Sequence, residues 1–146
     1  MTRLCMLDTN MVSSILKARS PAARTRLASL SEGEIACISS ITEAELLYGI
    51  AKSAGSSAGS PTAIDQRRRS LDWFLARLKV HPWGREEAAA YGQLRAKQEA
   101  MGKTLGPLDM QIAAHAVVLR AILITNDKAF QNVPDLAGVE NWAPDL

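Results

Sequence analysis

Four carboxylates have the types and positions to do chemistry: Asp8, Glu45, Asp109 and Asp127. Asp8 stands in LDTN at the end of an apolar run, and Asp127 in TND just beyond the apolar run AILIT. Glu45 lies in SSITEAELLYG and Asp109 in LGPLDMQIAAHA, both with helical patterning. Each has a structural explanation when taken alone. Asp8 and Asp127 suit turns or helix caps. Glu45 completes a capping box with Thr42. Asp109 falls in the first helical turn after Pro107, where the helix dipole favours an acid by about 0.3–1 kcal/mol. Ser40-x-x-Glu43 is a competing box, however, and it leaves Glu45 free. At about 100° per residue, Glu45 then falls between Ile41 and Tyr48 on an apolar face, with Glu43 nearly opposite. Asp109 shares a face with Ile112, Ala113 and Ala116. A carboxylate on a core-facing stripe needs a partner, because an unpaired buried charge is costly.

Jointly the pattern says more. Two acids follow buried strands and two sit on inward faces of early helical turns, so all four can reach one edge of one sheet. Ionised carboxylates do not crowd together without a cation. An all-oxygen set with no Cys or His cluster suits a hard ion, Mg²⁺ or Mn²⁺. His115 lies six residues after Asp109, roughly 120° around the helix, and is expected to be a packed or surface histidine. His81 precedes a proline and reads as a strand or loop residue.

The elements that must position these acids follow from apolar periodicity. Arg3 to Leu7, Glu34 to Ser39 and Ala121 to Thr125 read as buried strands, and Val80 to Trp83 and Val139 to Trp142 as short ones. Helices are expected over Asn10 to Ala18, from Ser20-Pro21 onward, over Ile41 to Ser53, Ala63 to Leu78, Arg85 to Met101 and Pro107 to Arg120. The stretch SAGSSAGSP, residues 53–61, cannot pack a core and reads as the flexible tip of a helical hairpin spanning about 41–78. Continuous apolar strands alternating with helices indicate an α/β fold with a parallel sheet covered on both faces. Such sheets bind ligands beyond the carboxyl ends of their strands, where Asp8 and Asp127 stand.

The 146 residues suit one domain, 1–146, and their 47% hydrophobic and 22% charged content is that of a globular chain. A formal net charge of +2 does not by itself argue for nucleic acid. Cys5 and Cys37 each lie inside an apolar run and read as small buried hydrophobes. No apolar run approaches the ~20 residues that cross a bilayer. Asp8 interrupts the N-terminal apolar stretch, which is not a signal peptide. A cytoplasmic location is expected.

These segments resemble a known family. MLDTNMV (6–12), SSITEAELLYG (39–49), LGPLDMQIAAHA (105–116) and ILITNDKAF (122–130) match, in order and spacing, the PIN-domain ribonucleases, and within them the VapC toxins of type II toxin–antitoxin modules. The resemblance runs on through VPDLAGVENW (133–142). It implies a three-layer α/β/α PIN-like fold, a divalent-metal site and RNA cleavage. Carried over by position, Asp8 and Asp109 are the principal metal ligands, and Glu45 and Asp127 act directly or through water. Thr9, Asn10, Thr125 and Asn126 orient carboxylates or waters. Relatives often carry an acid just before the phenylalanine of the last motif, where this chain has Ala129 before Phe130.

The chemistry implied is metal-assisted phosphodiester hydrolysis, with no histidine well placed as base. The cationic residues that would guide RNA are Lys17, Arg19, Arg24, Arg26 and the run Arg67-Arg68-Arg69. The resemblance further implies a homodimer and a cognate VapB-type antitoxin that docks near the hairpin and inserts a basic side chain among the acids. The GPLDMQIAAHA and TND segments are most similar to relatives that cut initiator transfer RNA in its anticodon loop.

Other classes fit less well. A haloacid-dehalogenase-type phosphatase needs a second Asp where this chain has Asn10. A phospho-receiver needs an Asp at the end of EIACISS. A catalytically silent PIN-like module that only binds RNA or protein is the remaining alternative, and metal affinity separates it from an enzyme.

Overall fold

The first apolar run forms the central strand. In the computed structural model, which describes residues 2–55, 59–103 and 105–146, β1 (Arg3–Leu7) lies between β2 (Glu34–Ser39) and β4 (Ile122–Ile124). β3 (Lys79–His81) pairs outside β2 and β5 (Gly138–Glu140) outside β4, so the order is β3-β2-β1-β4-β5, all parallel. Between them run α1 (Thr9–Leu16), α2 (Pro21–Ala28), α3 (Ser40–Ala54), α4 (Pro61–Leu75), α5 (Arg85–Ala100) and α6 (Pro107–Leu119).

Side chains of β1 alternate between the two faces of the sheet, as the period of two requires. Cys5 and Leu7 pack with Met11, Val12 and Ile15 of α1, Ala23 of α2 and Phe74 of α4. Met6 turns the other way, against Leu94 of α5 and Met110, Ile112, Ala113 and Ala116 of α6. These are the outer layers of a three-layer α/β/α fold. α3 serves both sides, with Leu46 against the first cluster and Ile41 against the second. Cys5 and Cys37 are buried free thiols, and burial pushes the Cys37 thiol up to about 12.

β1 and β2 have the bounds expected of them, and most other elements shift by one to three residues. α1 starts one residue early, because Asp8 caps it. α3 is capped by Ser39, whose Oγ accepts from Ile41 N at 3.1 Å. Neither Ser40 nor Thr42 is the cap: Ser40 Oγ accepts from Trp83 N at 3.0 Å, and Thr42 is buried. The two Ser-Pro steps open helices in the same way: Ser20 Oγ accepts from Ala23 N, and Ser60 Oγ from Ala63 N. Within the expected tip, Ser53 and Ala54 complete α3 and Pro61 begins α4, while residues 56–58 lie outside the described residues. A short 3₁₀ helix, Lys128–Asn132, follows β4 in a stretch for which no element was expected.

Candidate active site at the carboxyl edge of the sheet

β1 and β4 end level, with Leu7 opposite Ile124. Asp8 N donates to Ile124 O at 3.0 Å, which sets Asp8 beside Thr125. Asp8 is only 2% exposed. Its Oδ1 accepts from Met11 N at 2.8 Å and so caps α1, and its carboxylate also accepts from the Thr125 side chain. Thr125 Oγ1 accepts in turn from Asp127 N at 3.0 Å. Asp127 Oδ1 accepts from Ala129 N at 2.9 Å and caps the 3₁₀ helix. Residue 129 therefore engages the acid through its backbone, not through a carboxylate of its own. Each strand-following acid thus also performs the local task that its sequence context suggested, with one oxygen.

The other two acids come from helices. Asp109 is half-buried in the first turn of α6, whose N-terminus carries no side-chain cap. Glu45, on the second turn of α3, accepts from Thr9 Oγ1 at 2.6 Å, and that same oxygen lies 3.3 Å from Thr42 Oγ1. Tyr48 is 65% exposed, so the face it shares with Glu45 is not the core stripe expected from the sequence. Glu45 turns toward α1 and meets a hydroxyl there.

Asp8 and Asp109 feel the neighbouring acids. Burial, foremost, raises the Asp8 carboxyl to about 6, and the nearby charges of Asp109 and Asp127 act in the same direction against the bonds from Thr125 and Met11. Asp109 is raised as well, by burial first and then by Glu45 and Asp127. Among the described residues, however, no three His, Cys, Asp or Glu side chains stand close enough to cage a metal ion directly. The set is acidic, all-oxygen and repulsive, yet more open than a closed coordination cage.

Of the residues expected to support the acids, Thr9 and Thr125 make the bonds just described. Asn10 and Asn126 are exposed. Sequence reasoning missed Thr42 and a buried link behind the site. His115 is fully buried, and its Nδ1 lies 2.8 Å from Ser39 Oγ. Ser39 Oγ also accepts from Ile41 N, and the other ring nitrogen of His115, Nε2, faces Glu87 Oε1 at 3.6 Å. This link ties the start of α3, which carries Glu45, to the middle of α6, which carries Asp109. Neither His81 nor His115 reaches the acid cluster as a ligand, and burial lowers both from the usual histidine range.

This fold, with acids gathered beyond the central strands, defines a PIN domain, and the chain matches the PIN domain family over residues 5–136. It is 35% identical over 138 residues to Ribonuclease VapC2 of Rickettsia felis, covering 94% of this chain and 96% of that one. It is 32% identical to the tRNA(fMet)-specific endonuclease VapC of Shigella flexneri, covering 94% and 97%. Among solved structures it resembles VapBC2 of Rickettsia felis bound to a promoter DNA fragment (TM-score 0.83, 34% identity, 95% and 98% covered). It likewise resembles DNA-bound VapBC of Salmonella typhimurium (TM-score 0.80, 31% identity, 97% and 99% covered). The chain belongs to the VapC ribonucleases of the PIN-domain family.

Proposed function

We propose that the chain is the toxin of a type II toxin–antitoxin module, a divalent-metal-dependent endoribonuclease that hydrolyses RNA phosphodiester bonds at Asp8, Glu45, Asp109 and Asp127. The observation that carries this reading is Asp8: a buried carboxylate at the end of the central strand, faced by the charges of two further acids. Capping α1 needs only one oxygen of Asp8; gathering further acids around that carboxylate brings the fold no stability, whereas a hard cation needs it.

The donor chemistry fits Mg²⁺ or Mn²⁺. The openness of the cluster fits an ion that keeps much of its water and takes only one or two carboxylates, as Mg²⁺ commonly does. Asp8 and Asp109 are the principal ligands in this reading, and Glu45 and Asp127 act directly or through water. Once bound, the metal supplies charge neutralisation at the phosphoryl oxygens and activates a water. The protein's part is positional. Thr125 and Met11 N hold the Asp8 carboxylate, Thr9 holds Glu45, and Asn10 and Asn126 stand exposed where they can orient water or a phosphate. A carboxylate of the cluster orients the attacking water, since neither histidine reaches the cluster and His115 is buried elsewhere.

The partner is a VapB-type antitoxin. A groove of about 920 Å³ beside α1, α2 and α4 has an apolar floor that includes Leu16, Leu27, Trp73 and Phe74. Arg24, Arg69, Arg77 and Lys79 line it too. An amphipathic segment with acidic flanks suits that seat, in keeping with the toxin–antitoxin complexes among the structural relatives. Transfer RNA, and initiator transfer RNA in particular, is the substrate class, as the names of the Shigella and Salmonella relatives suggest. A homodimer acting in the cytoplasm completes the reading; among the described residues no helix is long and apolar enough to cross a membrane.

A silent RNA- or protein-binding module is the second reading, favoured by the absence of a ready three-ligand cage among the described residues. Cleavage of total RNA by the wild type and by Asp8→Asn, with Mg²⁺ or Mn²⁺ and with EDTA, decides between them. Discrete fragments from the wild type with metal alone establish the nuclease, and sequencing their ends names the target. RNA left intact under every condition points to the silent module, or to a substrate that is cut only in its intact cellular context.

A further inference from the structure

A second cleft opens directly from the acid cluster. It holds about 450 Å³ and shares Thr9, Asn10 and Glu45 with the site. It runs between α1 and the α3–α4 pair over a floor that includes Leu46 and Leu71, and Lys17, Gln66 and Arg67 also line it. We propose that this cleft is the track along which an RNA strand leaves the acid cluster, held by Lys17 and Arg67; the proposal rests on the ribonuclease reading above.

Electrostatics selects these two cations. The acid cluster repels phosphate, so the strand beside the scissile bond needs positive charge close at hand. The run Arg67-Arg68-Arg69 is not uniform in the fold. Arg68 pairs with Asp72 at 3.1 Å and Arg69 with Asp65 at 3.0 Å, both along α4 itself. Arg69 also lines the other groove. Arg67 instead donates to the neutral Ser53 Oγ of α3 at 2.6 Å, which keeps its charge and stretches its side chain across the gap between α4 and α3. Lys17, exposed at the C-terminus of α1, stands on the opposite side. Among the described residues neither Lys17 nor Arg67 is in a salt bridge. A channel with hydroxyls and carboxylates at its inner end and two uncompensated cations along it suits a polyanion threaded toward a metal site. It does not suit a basic peptide. The larger groove, with its exposed Trp73 and more extensive apolar lining, is the better seat for a protein helix.

The test uses the full chain. In an Asp8→Asn background, binding of a fluorescein-labelled single-stranded RNA oligonucleotide is followed by anisotropy across a salt series, with Lys17→Gln, Arg67→Gln, the double variant and Arg68→Gln. Lys17→Gln and Arg67→Gln each weaken binding several-fold, and each flattens the dependence of log affinity on log salt by roughly 0.7, the share of one single-strand phosphate contact. The double variant flattens it by about twice that, and Arg68→Gln matches its parent. With Asp8 restored, the same two substitutions raise KM for RNA cleavage and leave kcat near wild type. An unchanged affinity and salt slope in the double variant would overturn the proposal and assign the cleft to a protein segment. A wild type that cleaves no RNA would remove the ribonuclease reading, and the track would then be judged on the binding series alone.

Discussion

β1 and β2 carry charged groups near both ends, and the two ends are built on opposite terms. Where the strands begin, Glu34 lies between Arg3 Nη1 at 2.9 Å and the Arg26 guanidinium, and Arg3 also reaches Glu140. The hydrogen bond from Arg26, foremost, holds the Glu34 carboxyl down at about 2. Beyond the strand ends, burial, foremost, and then the facing acids push Asp8 up to about 6. Arg26 and Glu34 hold each other inside the fold. The acids at the carboxyl edge are held in place by hydroxyls and backbone N–H groups, which orient them without neutralising them. The first end is finished by folding and the second is left for something that binds.

Asp8→Asn gives the largest departure. Asn caps a helix as well as Asp does and removes the confined charge. The metal-free variant is therefore more stable than wild type at neutral pH by about 3 kcal/mol, from the 1.36 kcal/mol that each pKa unit represents, and melts several degrees higher in EDTA, while RNA cleavage falls by a hundredfold or more, about 3 kcal/mol of transition-state stabilisation. A variant that melts lower than wild type would break the comparison. Adding Mg²⁺ comes next. Millimolar metal raises the melting temperature of the wild type by linkage and moves Asp8→Asn much less, as calorimetry with and without EDTA would report.

The two ends also respond oppositely to acid. Asp8 takes up a proton near 6 in the folded metal-free chain and near 3.8 when unfolded. Its burden on stability is therefore relieved as pH falls from about 6 toward 3.8. Glu34 contributes stability that is fully present above about 4.5 and is lost as pH falls toward about 2. Glu34→Gln lowers the melting temperature at neutral pH by a few degrees, and that deficit disappears near pH 2 in a pH series of melts. Its cleavage activity matches wild type. Asp127→Asn has the smallest effect on stability, since Asp127 is exposed and Asn keeps the cap on the 3₁₀ helix. Its melting temperature stays within about a degree of wild type, in line with a surface change of under 0.5 kcal/mol, while cleavage drops about tenfold.

Much of the fold was legible because a parallel sheet buried on both faces writes its strands as uninterrupted apolar runs. RLCML and EIACIS could be bounded to the residue, and Asp8 placed at the carboxyl edge with them. The start of α3 was less legible: Ser39, Ser40 and Thr42 can all cap, and only the path of β2 into the helix selects Ser39. Glu45 was chosen for an apolar face that the structure does not have; its neighbour is Thr9, 36 residues away. The Ser39–His115 bond, across 76 residues, leaves no local periodic trace at all.

The sheet order has a consequence in time. Asp127 leaves the ribosome 119 positions after Asp8, just beyond a strand that must dock directly against β1. Until β4 slides in, β1 has β2 on one side only, and the lone Asp8 has neither Thr125 nor Asp127 beside it. The nascent chain is thus harmless until β4 has been made and has docked, because that segment completes its blade.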